Sequence, residues 1–153
     1  VERSRGLGDV YKRQSQIIDV NGWLHTGDLA TMDADGYVTV RGRSKNMLLT
    51  SSGQNIYPEE IESKLNNMPY VSESLIVLQH DKLVALIYPD FDDAFAHGLQ
   101  QTDIEKAMEA NRNELNLLLP AYCQITKVKI HFEEFEKTAK KSIKRFMYQE
   151  AKG

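Results

Sequence analysis

Leu83-Val84-Ala85-Leu86-Ile87-Tyr88 constrains the fold more than any other stretch of the chain. It is apolar without interruption, so a strand here must bury both of its faces. It is far too short for a bilayer-spanning helix, which needs about 20 apolar residues. A strand of this kind belongs in the middle of a sheet. Val71 to Leu78 reads as its neighbour, joined to it by the polar turn Gln79-His80-Asp81-Lys82, and Pro89-Asp90 ends the run. Lys127 to Phe132 alternates and is expected to be another strand, with Val128, Ile130 and Phe132 inward.

Two segments carry helical signals. Pro58 suits a first helical turn, with Glu59, Glu60 and Glu62 near its positive end. Ile61 and Leu65 share a face there, and the helix is expected to end around Asn66-Asn67, before Pro69. Thr102-Asp103-Ile104-Glu105 has capping-box spacing. Ile104, Ala107, Met108, Leu115 and Leu118 then recur at helical intervals, giving an amphipathic helix over 102–118 whose stripe faces the core. Phe91 to Gln101 reads as a loop. The fold class is α+β: a few-stranded sheet with two main helices.

Composition narrows the function classes. With 153 residues and a net charge of −3, the chain holds one small core and no dominant basic field, which argues against nucleic acid as the main partner. A single cysteine, Cys123, excludes an internal disulfide. His25, His80, His97 and His131 show no metal-ligand spacing, so no metal site is expected. Residues 1–14 begin with Val1 and contain no apolar run. Asp9 to Gln14 resembles one reading frame of a transposon sequencing adapter, and the segment is expected to be non-native or disordered.

The stretch from Gly22 to Glu62 concentrates the chemistry. Gly22-Trp23-Leu24-His25-Thr26-Gly27-Asp28 sets one carboxylate after a glycine-bracketed turn, an arrangement that lets a ligand approach the backbone and donate to the acid. Leu29 to Met32 and Tyr37 to Arg41 flank Asp33-Ala34-Asp35-Gly36 and read as a hairpin. A basic segment follows, Gly42-Arg43-Ser44-Lys45-Asn46, then a short strand, Met47 to Thr50. The loop Ser51-Ser52-Gly53-Gln54-Asn55 comes next. By residue chemistry alone, Asp28 caps a turn, Arg43 and Lys45 are solvated, and the Ser-Gly loop is a surface turn.

GWLHTGD, GYVTVRGRSKN and SSGQNIYPEEIE together, in this order and spacing, closely resemble the adenylate-forming enzymes: acyl-CoA synthetases, peptide-synthetase adenylation domains and luciferases. Within them the chain is most similar to AMP-forming long-chain fatty-acid–CoA ligases, from Gly22 to about Tyr148. The resemblance implies residues 15–43 as the end of a large adenylation domain, 44–46 as a hinge and 47–153 as the small C-terminal domain. It implies that Asp28 accepts hydrogen bonds from the ribose hydroxyls of ATP or AMP, and that Arg43 reaches the ribose or phosphate region. Lys45 and Asn46 become the hinge, Asn46 standing where many relatives carry Asp. Ser51, Ser52 and Gly53 become a loop that lines the pantetheine channel after the small domain rotates.

The same resemblance implies a lysine near the end of the chain, in a T-x-x-G-K pattern followed by an apolar residue, bridging the carboxylate and the ATP phosphate. With Thr138 and Ile143 in register, that lysine falls on Ser142 and the glycine on Lys141. Three readings stay open: Lys141 serves after a one-residue slip, Lys144 reaches in from the next turn, or the site lacks its lysine and adenylates slowly. Lys141 is preferred. Lys137, Lys140, Lys141, Lys144 and Arg145 otherwise form a solvated basic tail.

The implied parent reaction joins a carboxylate to ATP, then passes the acyl group to CoA, with ATP, Mg2+ and CoA as the implied cofactors. Ligands for Mg2+ are not expected in this chain. A missing N-terminal adenylation domain is the implied partner, the implied location is cytoplasmic with peripheral membrane contact as a variant, and the chain alone is expected to be inactive. Two alternatives remain: a fatty acyl-AMP ligase or peptide-synthetase adenylation domain that loads a carrier protein, and a non-catalytic interaction module.

Overall fold

The computed structural model describes residue 18 and residues 20–149. The reading of residues 1–14 lies outside these. The chain divides between Lys45 and Asn46 into two compact units.

The first unit is built on a hairpin, β1 (Asp28–Met32) and β2 (Val38–Arg43), paired antiparallel with Asp28 opposite Arg43. A bulge between Leu29 and Ala30 absorbs one extra residue of β2. The turn is held by Asp33, whose Oδ1 accepts from the amides of Asp35 (3.0 Å) and Tyr37 (2.9 Å). Gly36 takes the left-handed conformation the turn requires, at φ 88°. One face of the hairpin is open: Met32, Val38 and Val40 share it and are all exposed.

The second unit is α+β. A two-residue ladder, β3 (Leu48–Leu49) with β4 (Asn55–Ile56), frames the Ser-Gly loop and leads into α1 (Pro58–Leu65). The main sheet has the order β5 (Val71–Gln79), β6 (Lys82–Pro89), β7 (Ile125–Ile130), antiparallel between the first two and parallel between the last two. The crossover from β6 to β7 carries α2 (Phe91–Ala96) and α3 (Gln101–Leu118). β6 is central, as its apolar run demands. Leu83, Ala85 and Ile87 pack with Ile61, Leu65, Ile104, Met108 and Leu115 from the helices. Val84 and Leu86 join Leu75 and Val77 on the other face, closed by Phe135 with Ile143 and Tyr148.

Three local expectations need correction. The segment Phe91 to Gln101 is not all loop, because Asp90 caps a short helix by accepting from the Asp93 amide at 3.0 Å. The cap of α3 is two residues earlier than expected: Asp103 Oδ2 accepts from the Gln100 amide at 2.9 Å, so the box is Gln100–Asp103 rather than Thr102–Glu105. Leu118 and Phe132 are exposed, at 62% and 61%, while Asn111 fills the helical stripe and donates to the Pro69 carbonyl at 2.9 Å. Leu118 ends α3 and Phe132 lies beyond the last residue of β7, so neither reaches the core.

Candidate functional site

Asp28 and Arg43 come from segments well apart in sequence, and the antiparallel register sets them directly opposite each other. Arg43 Nη1 donates to Asp28 Oδ1 at 2.7 Å. Thr26 Oγ1 accepts from the Asp28 amide at 3.2 Å, and the Gly27 carbonyl accepts from the Ser44 amide at 2.8 Å. The pair is open to solvent, with side chains 48% and 37% exposed for Arg43 and Asp28. The guanidinium hydrogen bond holds the Asp28 carboxyl below the usual carboxylate range. Asp28 therefore presents an ionised acceptor at neutral pH, one oxygen of which is already shared with Arg43.

A depressed folded-state pKa means the pair stabilises above the unfolded carboxyl value and loses that contribution as pH falls through the folded one. Arg43→Met should accordingly move the Asp28 titration, followed by carboxyl NMR, upward towards an ordinary aspartate. An unmoved titration would mean the guanidinium does not govern the acid.

Ser44–Asn46 forms a single 3-10 turn rather than an open loop, with Lys45 exposed. Asn46 Nδ2 donates to Glu59 Oε1 at 2.6 Å, tying the start of the second unit to α1. The amide suits this place because an aspartate here would face another carboxylate.

The Ser-Gly loop is a tight turn. Gly53 donates to the Thr50 carbonyl at 3.0 Å, and the Gln54 amide donates to Thr50 Oγ1 at 3.1 Å. Gly53 lies at φ 82° with nothing within 4 Å of an added Cβ, so its edge faces open space. Ser51 and Ser52 are exposed beside it.

The tail folds back as a second small hairpin. Lys137 bridges Ile143, the Thr138 amide donates to the Ser142 carbonyl at 2.8 Å, and the Lys141 amide donates to the Thr138 carbonyl at 2.8 Å. Lys141 occupies a left-handed position at φ 61°. That is the conformation a glycine would supply, and the T-x-x-G-K register assigns glycine to this position. Lys141 is exposed, whereas Lys144 sits 3.8 Å from Glu136 in an ion pair. Lys137 pairs with Glu73, with Glu134 alongside at 3.5 Å. Lys137, Lys144 and Arg145, three of the five basic tail residues, are thus paired with carboxylates.

Two groups escaped the sequence reading. Glu62, expected near the positive end of α1, points inward: it is 7% exposed and accepts from the Ile76 amide at 2.8 Å. Arg145 grips both of its oxygens, Nη1 to Oε1 at 2.7 Å and Nη2 to Oε2. The signal was present, since Pro58, Glu62 and Leu65 share a helical face. The other is Asp81, which holds Ser51 from the tip of the β5–β6 hairpin.

Residues 45–151 match the family of AMP-binding enzyme C-terminal domains. The chain belongs to that family. Human long-chain-fatty-acid–CoA ligase ACSBG1 is 34% identical over 114 residues, covering 68% of this chain and 15% of the human protein. The fatty acid–[acyl-carrier-protein] ligase ScoC of Streptomyces coeruleorubidus is 48% identical over 58 residues, or 38% of this chain and 11% of that protein. Among solved structures, the anthranilate CoA ligase AuaEII in complex with anthranoyl-AMP superposes with a TM-score of 0.67 at 28% identity, over 90% of this chain and 26% of that one. This AMP-binding C-terminal domain and its preceding hairpin thus span a minor part of each relative. Among the described residues, no helix is long and apolar enough to cross a membrane. No group of three or more His, Cys, Asp or Glu there could hold a metal.

Proposed function

We propose that the chain is the C-terminal part of an ATP-dependent acyl-CoA synthetase, which converts a carboxylate and ATP to an acyl-adenylate and then to a CoA thioester. The observation that carries this is the solvent-facing Asp28–Arg43 pair, 2.7 Å apart, immediately before a domain of the AMP-binding family. Asp28 would accept from the ribose hydroxyls, and Arg43 would hold that acid ionised while adding permanent positive charge beside the nucleotide. Lys45 and Asn46 would form the pivot of the small domain, and Ser51, Ser52 and Gly53 would line the thiol channel. Magnesium would arrive on the ATP phosphates, whose charge it neutralises. The location would be cytoplasmic.

In this reading Lys141 supplies the tail cation. It stands exposed at the turn of the tail hairpin, whereas Lys144 is engaged by Glu136. A mobile ammonium there would bridge the carboxylate and the phosphate as charge shifts between them. In the intact protein, Lys141→Met should lower ATP–pyrophosphate exchange by about 10²-fold, within the range for one transition-state donor. Lys144→Met should change it little. Equal rates in the two variants would remove the assignment.

Function is tested by giving the intact protein ATP, CoA and a panel of carboxylic acids. Acid-dependent release of AMP with acyl-CoA is expected; release of neither would end the proposal. The isolated chain would lack the rest of the adenylation site and is expected to catalyse no exchange. A second reading, transfer to a carrier protein, is favoured by the similarity to ScoC. Acyl-adenylate that forms but ignores CoA would select it.

A further inference from the structure

The Ser-Gly loop has one anchor outside itself. Ser51 donates its backbone amide to Asp81 Oδ1 at 2.8 Å and its hydroxyl to Asp81 Oδ2. Asp81 is 30 residues away in sequence, so this is a tertiary clamp and not turn geometry. It stands on the two-residue turn between β5 and β6, where His80 and Asp81 both have positive φ, 49° and 60°. That is the turn that closes a tight antiparallel hairpin, and β5 and β6 continue from it as the two longest strands of the sheet. The carboxylate is therefore carried on a tight turn that joins two paired strands. Ser51 also holds the Asp81 carboxyl below its ordinary range, as a donated hydrogen bond to the ionised form requires.

We infer that Asp81 is a positioning residue for the thiol-transfer half of the reaction: it fixes Ser51 to the sheet so that the Gly53 edge is presented to the incoming pantetheine arm. The inference rests on the channel role proposed above for Ser51, Ser52 and Gly53. Ser51 has its amide and hydroxyl occupied by Asp81, and Ser52 Oγ lies 2.9 Å from Thr50 Oγ1. The Ser51 amide and the Ser51 and Ser52 hydroxyls are thus turned into the framework, leaving the unsubstituted glycine edge between them and Gln54 as the surface offered to the thiol arm. A channel wall needs this arrangement, because a loose loop would close on the arm or drift from it.

Asp81→Gly is the informative change, because glycine keeps the positive φ without strain and deletes only the carboxylate. Asp81→Asn is its rescue: asparagine tolerates the same backbone and can accept from the Ser51 amide through Oδ1 while its Nδ2 donates to the hydroxyl. In the 153-residue chain, hydrogen exchange at the Ser51 amide should quicken about tenfold in Asp81→Gly and return towards wild type in Asp81→Asn. In the intact protein, KM for CoA should rise about tenfold in Asp81→Gly, with ATP–pyrophosphate exchange changed by less than about twofold, and Asp81→Asn should restore KM.

Unchanged Ser51 exchange in Asp81→Gly would overturn the clamp. Faster exchange with an unchanged KM for CoA would overturn the positioning role while leaving the ligase reading intact. A wild type that makes no thioester would sink that reading and the positioning role with it, and the amide exchange would still decide whether the clamp exists.

Discussion

Glu62→Ala should cost the second unit about 3–5 kcal/mol, the usual penalty for stranding one partner of a buried ion pair. The substitution leaves the Arg145 guanidinium, whose side chain is 14% exposed, without its bidentate acceptor, and it strips the Ile76 amide of the oxygen it donates to. Stability of a domain this size is of the order of 5–15 kcal/mol, so the variant should lose most of its folded margin. Arg145 is the tail's tether to α1, so the tail should loosen first, exposing the Leu75, Val77, Val84, Leu86 face of the sheet. Urea unfolding of the wild type and the variant measures the cost. A Glu62→Leu/Arg145→Met double variant should recover part of the loss, because apolar partners of similar size need no desolvated charge. It should not recover all of it, since the buried Ile76 amide still lacks an acceptor. A cost below about 1 kcal/mol for Glu62→Ala would mean that solvent reaches the pair and the tail is not anchored through it.

The same pair shows where sequence reasoning stopped. The run Leu83 to Tyr88 announced a strand covered on both faces, and the helices α1 and α3 were legible as one cover. The second cover is also present in the chain, as Phe135, Ile143 and Tyr148, but these are scattered without period through a lysine-rich segment. Glu62 follows Glu59 and Glu60 in the charge pattern of a helix N-terminus, yet it lies on the buried face with Leu65. The α2 helix was hidden because Pro89-Asp90 reads equally as the end of a strand and as a cap, and only tertiary burial of Ala94 decides. Of the site, the hairpin was legible in the Asp33–Gly36 turn, but the register that pairs Asp28 with Arg43 was not, because it depends on Met32 pairing with Val38 and on the bulge between Leu29 and Ala30. The Asp81–Ser51 contact could not be read, because it depends on where two separate turns meet in space.

Asp28→Ala in the intact protein should lower kcat/KM for ATP by about 10²–10³-fold, the loss expected for two hydrogen bonds from neutral hydroxyls to a charged acceptor at roughly 1.5–3 kcal/mol each, partly offset by water. The effect should appear chiefly in the nucleotide dependence of the adenylation step, because in the proposed role Asp28 would touch the sugar and not the reacting phosphorus. Arg43 sharpens the expectation: with Asp28 gone, its guanidinium keeps its charge but loses the 2.7 Å partner that orients it.

Carboxylate-dependent ATP–pyrophosphate exchange, compared between the intact wild-type protein and Asp28→Ala across a range of ATP concentrations, is the direct measurement. Robust exchange in the wild type with a loss of about 10²-fold or more in the variant is the expected result. Exchange of equal efficiency in both proteins, or none in the wild type with any acid, would contradict a nucleotide-binding role for this hairpin.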